Sequence, residues 1–164
     1  MISSMLSTTW RYIALLVLGA AAVYFGLATP YHISGDCMEP AVKDGQWVFL
    51  NRLIPYLTSY RNGQIVAFTH EGRAWFSRII ANEGDSVQLS ESGILLNGVL
   101  KSIEQDIPRK WSGWRLGTYG IDHPFVVPQG HVFVLSDNLL ADHDDSRVFG
   151  PIAHKSILGL VWSF

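Results

Sequence analysis

Residues 74–100, AWFSRIIANEGDSVQLSESGILLNGVL, decide the architecture. Short runs rich in apolar and β-branched residues, Ala74–Asn82, Ser86–Leu89 and Ile94–Leu96, are broken by turn residues, and no helical period survives. Asn97-Gly98, between Leu96 and Val99, is a two-residue hairpin signal, because such a turn needs positive φ and Asn and Gly tolerate it. Working outward, the same grammar marks Gln46–Asn51, Gln64–Thr69, Phe125–Val127, His131–Leu135 and Ile157–Phe164 as strands. Asp44-Gly45 and Ser92-Gly93 read as further turns. The pattern predicts an antiparallel all-β domain over residues 31–164, partly closed or sandwiched. Asp106–Pro124, with Trp111, Trp114 and Tyr119, is irregular and aromatic; it reads as a membrane-touching loop or as a packed one.

The N-terminus is different. Tyr12–Thr29 reads YIALLVLGAAAVYFGLAT, about 18 uncharged residues, enough to cross a bilayer as a helix. Arg11 precedes it and Pro30 ends it, with Trp10, Tyr24 and Tyr31 near where interfacial aromatics belong. Residues 1–30 are therefore expected to be a membrane anchor. Arg11 and the α-amino group place the N-terminus in the cytoplasm and the β domain outside it. A cleaved signal peptide is the competing reading, but Leu27-Ala28-Thr29-Pro30 is a poor cleavage site.

The chain has 164 residues, a net charge of -2, 48% hydrophobic and 16% charged residues. No basic stripe exists to neutralise phosphates, which argues against a nucleic-acid partner. A single cysteine excludes an intramolecular disulfide and a cysteine-rich metal site. No cofactor and no metal are implied.

Three segments in order carry a resemblance. The first is Ser34-Gly35-Asp36-Cys37-Met38-Glu39-Pro40 followed by Asp44-Gly45-Gln46-Trp47-Val48. The second is Gln64–Phe68 followed by Ala74–Asp85, with Arg78-Ile79-Ile80 and Gly84-Asp85. The third is Gly130–Gly150, with Asp137-Asn138 and Asp145-Ser146-Arg147. Together they resemble the type I signal peptidases, whose pattern is Ser-Met-x-Pro, then Lys-Arg with Gly-Asp, then Gly-Asp-Asn and Asp-Ser-Arg. The resemblance implies a signal-peptidase-like β domain behind one transmembrane helix. It also exposes departures: Cys37 stands for the nucleophilic serine, Ser77 for the general-base lysine, and Ser136 for a glycine.

The chemistry has a route through these changes. A thiol is intrinsically more nucleophilic than a hydroxyl, and some thiolate is expected near neutral pH. His143, two residues before Asp145, falls where the family has a serine-like residue contacting the lysine. An imidazole there would reach into the space Ser77 leaves, with Asp142 or Asp144 orienting it. Cys37 is then the nucleophile and His143 the base, and the Cys37 N–H, helped by Ser34, stabilises the oxyanion. The resemblance implies that Asp145 and Arg147 clamp the loop and that Arg78 does similar work. It implies that Met38 packs beneath the nucleophile.

Two functions follow. One is a single-pass endopeptidase of the inner (cytoplasmic) membrane, acting outside the cytoplasm on exported precursors or pilin-like peptides. Its substrate would be extended, with small residues beside the scissile bond. Because thioesters react with amines, the same site would also suit transpeptidation. The other is an inactive homologue that binds exported subunits and assists assembly. Beyond these substrates the partner implied is the lipid bilayer.

Overall fold

The computed structural model describes residues 2–53, 59–90, 93–101, 119, 123–138 and 143–162. The chain opens with a helix, α1 (Ile2–Leu27), and passes directly into β1 (Ala28–His32). The helix thus starts earlier than the uncharged stretch, and Ala28 and Thr29, expected at its end, belong to a strand instead. The reason is pairing: β1 lies antiparallel to β2 (Trp47–Asn51), with Pro30 opposite Phe49. Pro30 lacks an N–H, and β1 is an edge strand, where that loss is tolerated. Among the described residues no helix is long and apolar enough to cross a membrane; within α1, side chains are described for residues 9–21.

The rest is antiparallel β, as the turn spacing predicts. The further strands are β3 (Ile65–His70), β4 (Arg73–Asn82), β5 (Ser86–Ser90), β6 (Gly93–Leu96), β7 (Val99–Lys101), β8 (Phe125–Val126), β9 (His131–Leu135), β10 (Ile152–Ala153) and β11 (Ile157–Trp162). A short helix, α2 (Ser146–Phe149), interrupts them. One sheet has the order β1-β2-β11-β3-β4-β9-β10, and a smaller one β7-β6-β5-β8. Asn97 and Gly98 take φ of 53° and 76°, so the β6–β7 hairpin is the tight turn the dipeptide demands. Of the aromatic segment 106–124, residues 106–118 and 120–122 lie outside the described residues. Tyr119 packs on Phe125, with ring centroids 5.5 Å apart, and its N–H donates to Arg147 O.

Side-chain alternation divides the core. Val66 and Phe68 of β3 face a cluster with Ile79, Val132, Val134, Ile152 and Leu160. Ala67, between them, faces the opposite side with Phe76, Met38, Val48, Leu50 and Cys37. A third cluster, including Ala81, Val87, Ile94, Phe133 and Leu135, draws on both sheets. Asp85 sets the link between the sheets. Its carboxylate accepts from Asn82 N at 2.9 Å and Asn97 Nδ2 at 2.8 Å, and its carbonyl from Val127 N at 2.9 Å.

The close approach of β11 to β2 requires Gly159. A Cβ there would stand 2.8 Å from the Asn51 carbonyl oxygen, inside van der Waals contact. Gly159→Ala is expected to lose about 1–3 kcal/mol of stability. Denaturant titration followed by tryptophan fluorescence should show a lower midpoint at unchanged slope.

Candidate active site

Cys37 lies on a compact loop between β1 and β2. Glu39 N donates to Asp36 O at 3.1 Å and Val42 N to Met38 O at 2.8 Å, winding the loop into successive turns. Cys37 is 8% exposed and Met38 fully buried, in one apolar cluster with Phe76. Asn138, just past β9, ties this loop down: its N–H donates to Cys37 O at 2.8 Å and its Nδ2 to Asp36 O at 3.2 Å. Ser34 is exposed in the same loop.

Burial, then the neighbouring Asp36 charge, push the Cys37 thiol up to about 11. Both effects favour the neutral thiol over the thiolate expected near neutral pH.

The third motif is a clamp. Asp145 caps α2 and accepts from Arg147 N at 3.1 Å, while Arg147 Nε and Nη2 donate to its two oxygens at 2.7 Å each. Ser136 N also donates to Asp145 Oδ2 at 3.1 Å, and Ser146 Oγ accepts from Val134 N at 2.9 Å. The Asp-Ser-Arg run thereby replaces a strand partner for the end of β9. Arg78 donates to Asp137 through Nε at 2.7 Å and to Gly63 O at 2.6 Å; the Asp137 hydrogen bond holds its guanidinium protonated more firmly.

Ser77 and His143 share a side of the sheet. Ser77 pairs with Val66 and Trp75 with Phe68, so both lie on the face opposite Phe76. The His143 ring stacks against Trp75 with centroids 4.6 Å apart. Burial lowers the His143 pKa against the opposing pull of Asp145 and Asp144, so the imidazole is neutral at pH 7. Its Nε2 is buried without a hydrogen-bond partner and thus does not hold the Cys37 thiol. Ser77, fully buried, donates to Phe76 O at 2.7 Å. Asp142 lies outside the described residues. Among the described residues, no group of His, Cys, Asp and Glu is arranged to hold a metal ion.

The structure therefore sets His143 against Trp75 on the Ser77 side of the sheet and Cys37 with Phe76 on the other side, and Asn138 joins the Cys37 loop to the end of β9. Sequence reasoning gave no role to Trp75, Asn138 or Asp36. Only Asn138 carried a signal, as part of the Asp-Asn pair.

Comparison with known proteins places this geometry. The family described as "Signal peptidase, peptidase S26" matches residues 6–163. The chain belongs to this family. A signal peptidase I of Bacillus amyloliquefaciens is 30% identical over 151 residues, covering 91% of this chain and 82% of that one. Signal peptidase I T of Bacillus subtilis (strain 168) is 30% identical over 153 residues, covering 91% and 79%. Signal peptidase IB of Staphylococcus aureus (strain Mu50 / ATCC 700699) is 31% identical over 154 residues, covering 84% and 80%. A crystal structure of a signal peptidase I from Enterococcus faecalis V583 is 26% identical, with a TM-score of 0.47, covering 63% of this chain and 97% of that one. The family match and the curated Bacillus and Staphylococcus signal peptidases support a signal peptidase I-like protease activity.

Because the Asp36 carboxylate helps to raise the thiol pKa, Asp36→Asn should lower it. Iodoacetamide alkylation of Cys37, read by intact mass between pH 8 and 11 (roughly the range below and around a thiol pKa), should become faster at each pH below the new midpoint.

Proposed function

We propose that this chain is a membrane-anchored endopeptidase of the signal peptidase I kind that cuts exported precursors, with Cys37 as nucleophile and His143 as general base. The observation that carries the reading is the His143 imidazole: neutral, stacked on Trp75, on the face where Ser77 replaces a lysine, with Nε2 uncommitted. The thiol proton passes to His143 as sulfur attacks the carbonyl carbon and the carbonyl electrons move onto oxygen. The Cys37 N–H, with Ser34, meets that charge. Collapse expels the amine, which takes the proton from His143, and leaves a thioester. Water then releases the acid and restores the thiol; an amine in its place joins two peptides, as processing of a pilin-like subunit would require. Asp144 supports the imidazolium through its charge; Asp142 is its neighbour in sequence and the alternative orienting group.

The burial of Cys37, and its place with Phe76 on the face of the sheet opposite His143, favour a binding homologue that does not cut. The signal peptidase match along residues 6–163 favours the peptidase. Incubating membranes holding the protein with a precursor whose leader ends in Ala-Xaa-Ala distinguishes them. Cleavage is expected, with Cys37→Ala abolishing it and His143→Ala reducing it about 100-fold or more. Activity should fall as pH drops through the lowered His143 pKa, below 6.5. Intact cleavage in both variants would overturn the assignment.

The anchor reading rests on α1. Trp10, Tyr12, Ile13, Leu15, Leu16, Val17 and Leu18 are all exposed, so over residues 9–21, where side chains are described, the helix presents apolar groups on every side. Residues 12–29 carry no charge. A bilayer covers such a helix, with Arg11 in the cytoplasm and the β domain outside. The protein should stay with membranes through alkaline carbonate washing; release into the wash would count against a span.

A further inference from the structure

The two carbonyls beside the Cys37 side chain are both held by Asn138. The Asp36 carbonyl accepts from Asn138 Nδ2 at 3.2 Å, and from Glu39 N at 3.1 Å. The Cys37 carbonyl accepts from Asn138 N at 2.8 Å. Asn138 Nδ2 also lies 3.5 Å from Asp36 Oδ2. Asn138 is placed in turn by its neighbour Asp137, which Arg78 grips through Nε at 2.7 Å. In a trans peptide the N–H points away from the C=O. The Asp36 carbonyl shares its peptide with the Cys37 N–H, and the Cys37 carbonyl shares its own with the Met38 N–H; both peptides are trans. With the carbonyls turned toward Asn138, the two N–H groups are turned the other way, and they meet the Cys37 sulfur. Burial and the Asp36 charge raise the thiol pKa, whereas hydrogen bonds from the Cys37 and Met38 N–H groups act against them. Among the described residues neither N–H has another acceptor, and Met38 is fully buried. A buried N–H with no oxygen partner is rare in a native interior.

We infer that the Met38 N–H is a second oxyanion donor beside the Cys37 N–H, and that Asn138 is the positioning residue that aims the pair. This rests on Cys37 being the nucleophile, and on nothing about which group takes its proton. The sulfur marks the place. Once it is bonded to the substrate carbon, the oxyanion stands on that carbon, so donors that meet sulfur in the resting protein lie beside the charge that develops. As the sulfur–carbon bond forms, the carbonyl electrons move onto oxygen and the two N–H groups turn their hydrogen bonds to it. The thiol proton leaves to the base. The carbonyl then re-forms, the carbon–nitrogen bond breaks, and the amine departs with that proton, leaving the thioester. Donors fixed in advance cost no reorganisation at that moment. Neither donor is a side chain, so the inference reads the purpose of Asn138 from what its amide does to the backbone: without Nδ2, the Asp36–Cys37 peptide keeps only the Glu39 N–H to set its tilt.

The test uses the full chain and a fluorogenic peptide with Ala-Leu-Ala before the scissile bond. Asn138→Asp keeps the shape and the backbone N–H but removes the Nδ2 donor, and Asn138→Ala removes the whole amide. Both are expected to lower kcat about tenfold or more at unchanged KM, the cost of misaimed donors. Two inhibitors separate aiming from a general loosening of the loop. The peptide aldehyde of Ala-Leu-Ala takes the Cys37 sulfur onto its carbonyl carbon and so sets an oxygen in the oxyanion position; the corresponding peptide alcohol forms no such adduct. In both variants the inhibition constant of the aldehyde should rise by the factor lost from kcat, while that of the alcohol stays where it is. Equal weakening of aldehyde and alcohol, or a wild-type kcat in both variants, would overturn the assignment of Asn138. The peptidase reading fails separately, if Cys37→Ala cuts the peptide as fast as wild type.

Discussion

The carboxylate of Asp145 is the contact on which the site depends. It is fully buried, and it accepts at once from the Arg147 guanidinium, from the first turn of α2 and from the Ser136 N–H just past β9. Breaking a buried pair by removing one partner typically costs about 3–5 kcal/mol, because the other charge is left stranded. Here the loss would also free the loop that carries His143 and the strand end that carries Ser136. The Asp-Ser-Arg motif thus does its work without touching the reacting atoms. It fixes where His143 stands relative to the sheet.

Exchanging serine for cysteine changes less than the chemistry of free thiols suggests. In water a thiol ionises far more readily than a hydroxyl. In the apolar cluster of Met38, Phe76 and their neighbours most of that advantage is lost, and the Asp36 charge removes more. Sulfur keeps its softer character, but the protein environment, rather than the element at the tip of the side chain, decides how readily it ionises.

Much of this was legible in the sequence. The Asn97-Gly98 turn and the strands around Arg78 rest on local rules, positive φ at defined positions and period-two alternation, whereas the Asp145–Arg147 clamp came from the family resemblance and its capping of α2 from the structure. The helix end was not legible, since Ala28 and Thr29 are as apolar as a span requires and only pairing with Leu50 and Asn51 makes them strand. Cys37 burial and the separation of Cys37 and His143 onto opposite faces of the sheet were hidden too, because both depend on which distant segments pack together. Trp75 looked like an ordinary strand aromatic; its part in holding His143 appears only when residues 143–147 fold back beside β4.

The junction at Leu27 has a consequence of scale. Helix gives way to strand with no spacer, and the chain from Leu27 to Cys37, fully stretched, reaches no further than about 35 Å. Were α1 embedded in lipid, as proposed, Cys37 would work on a short leash. A bond far from the bilayer surface would be out of range whatever its flanking residues, and one presented at the right height would be in range repeatedly. Selection by altitude would then precede selection by side chain, with the tether length acting as a gauge.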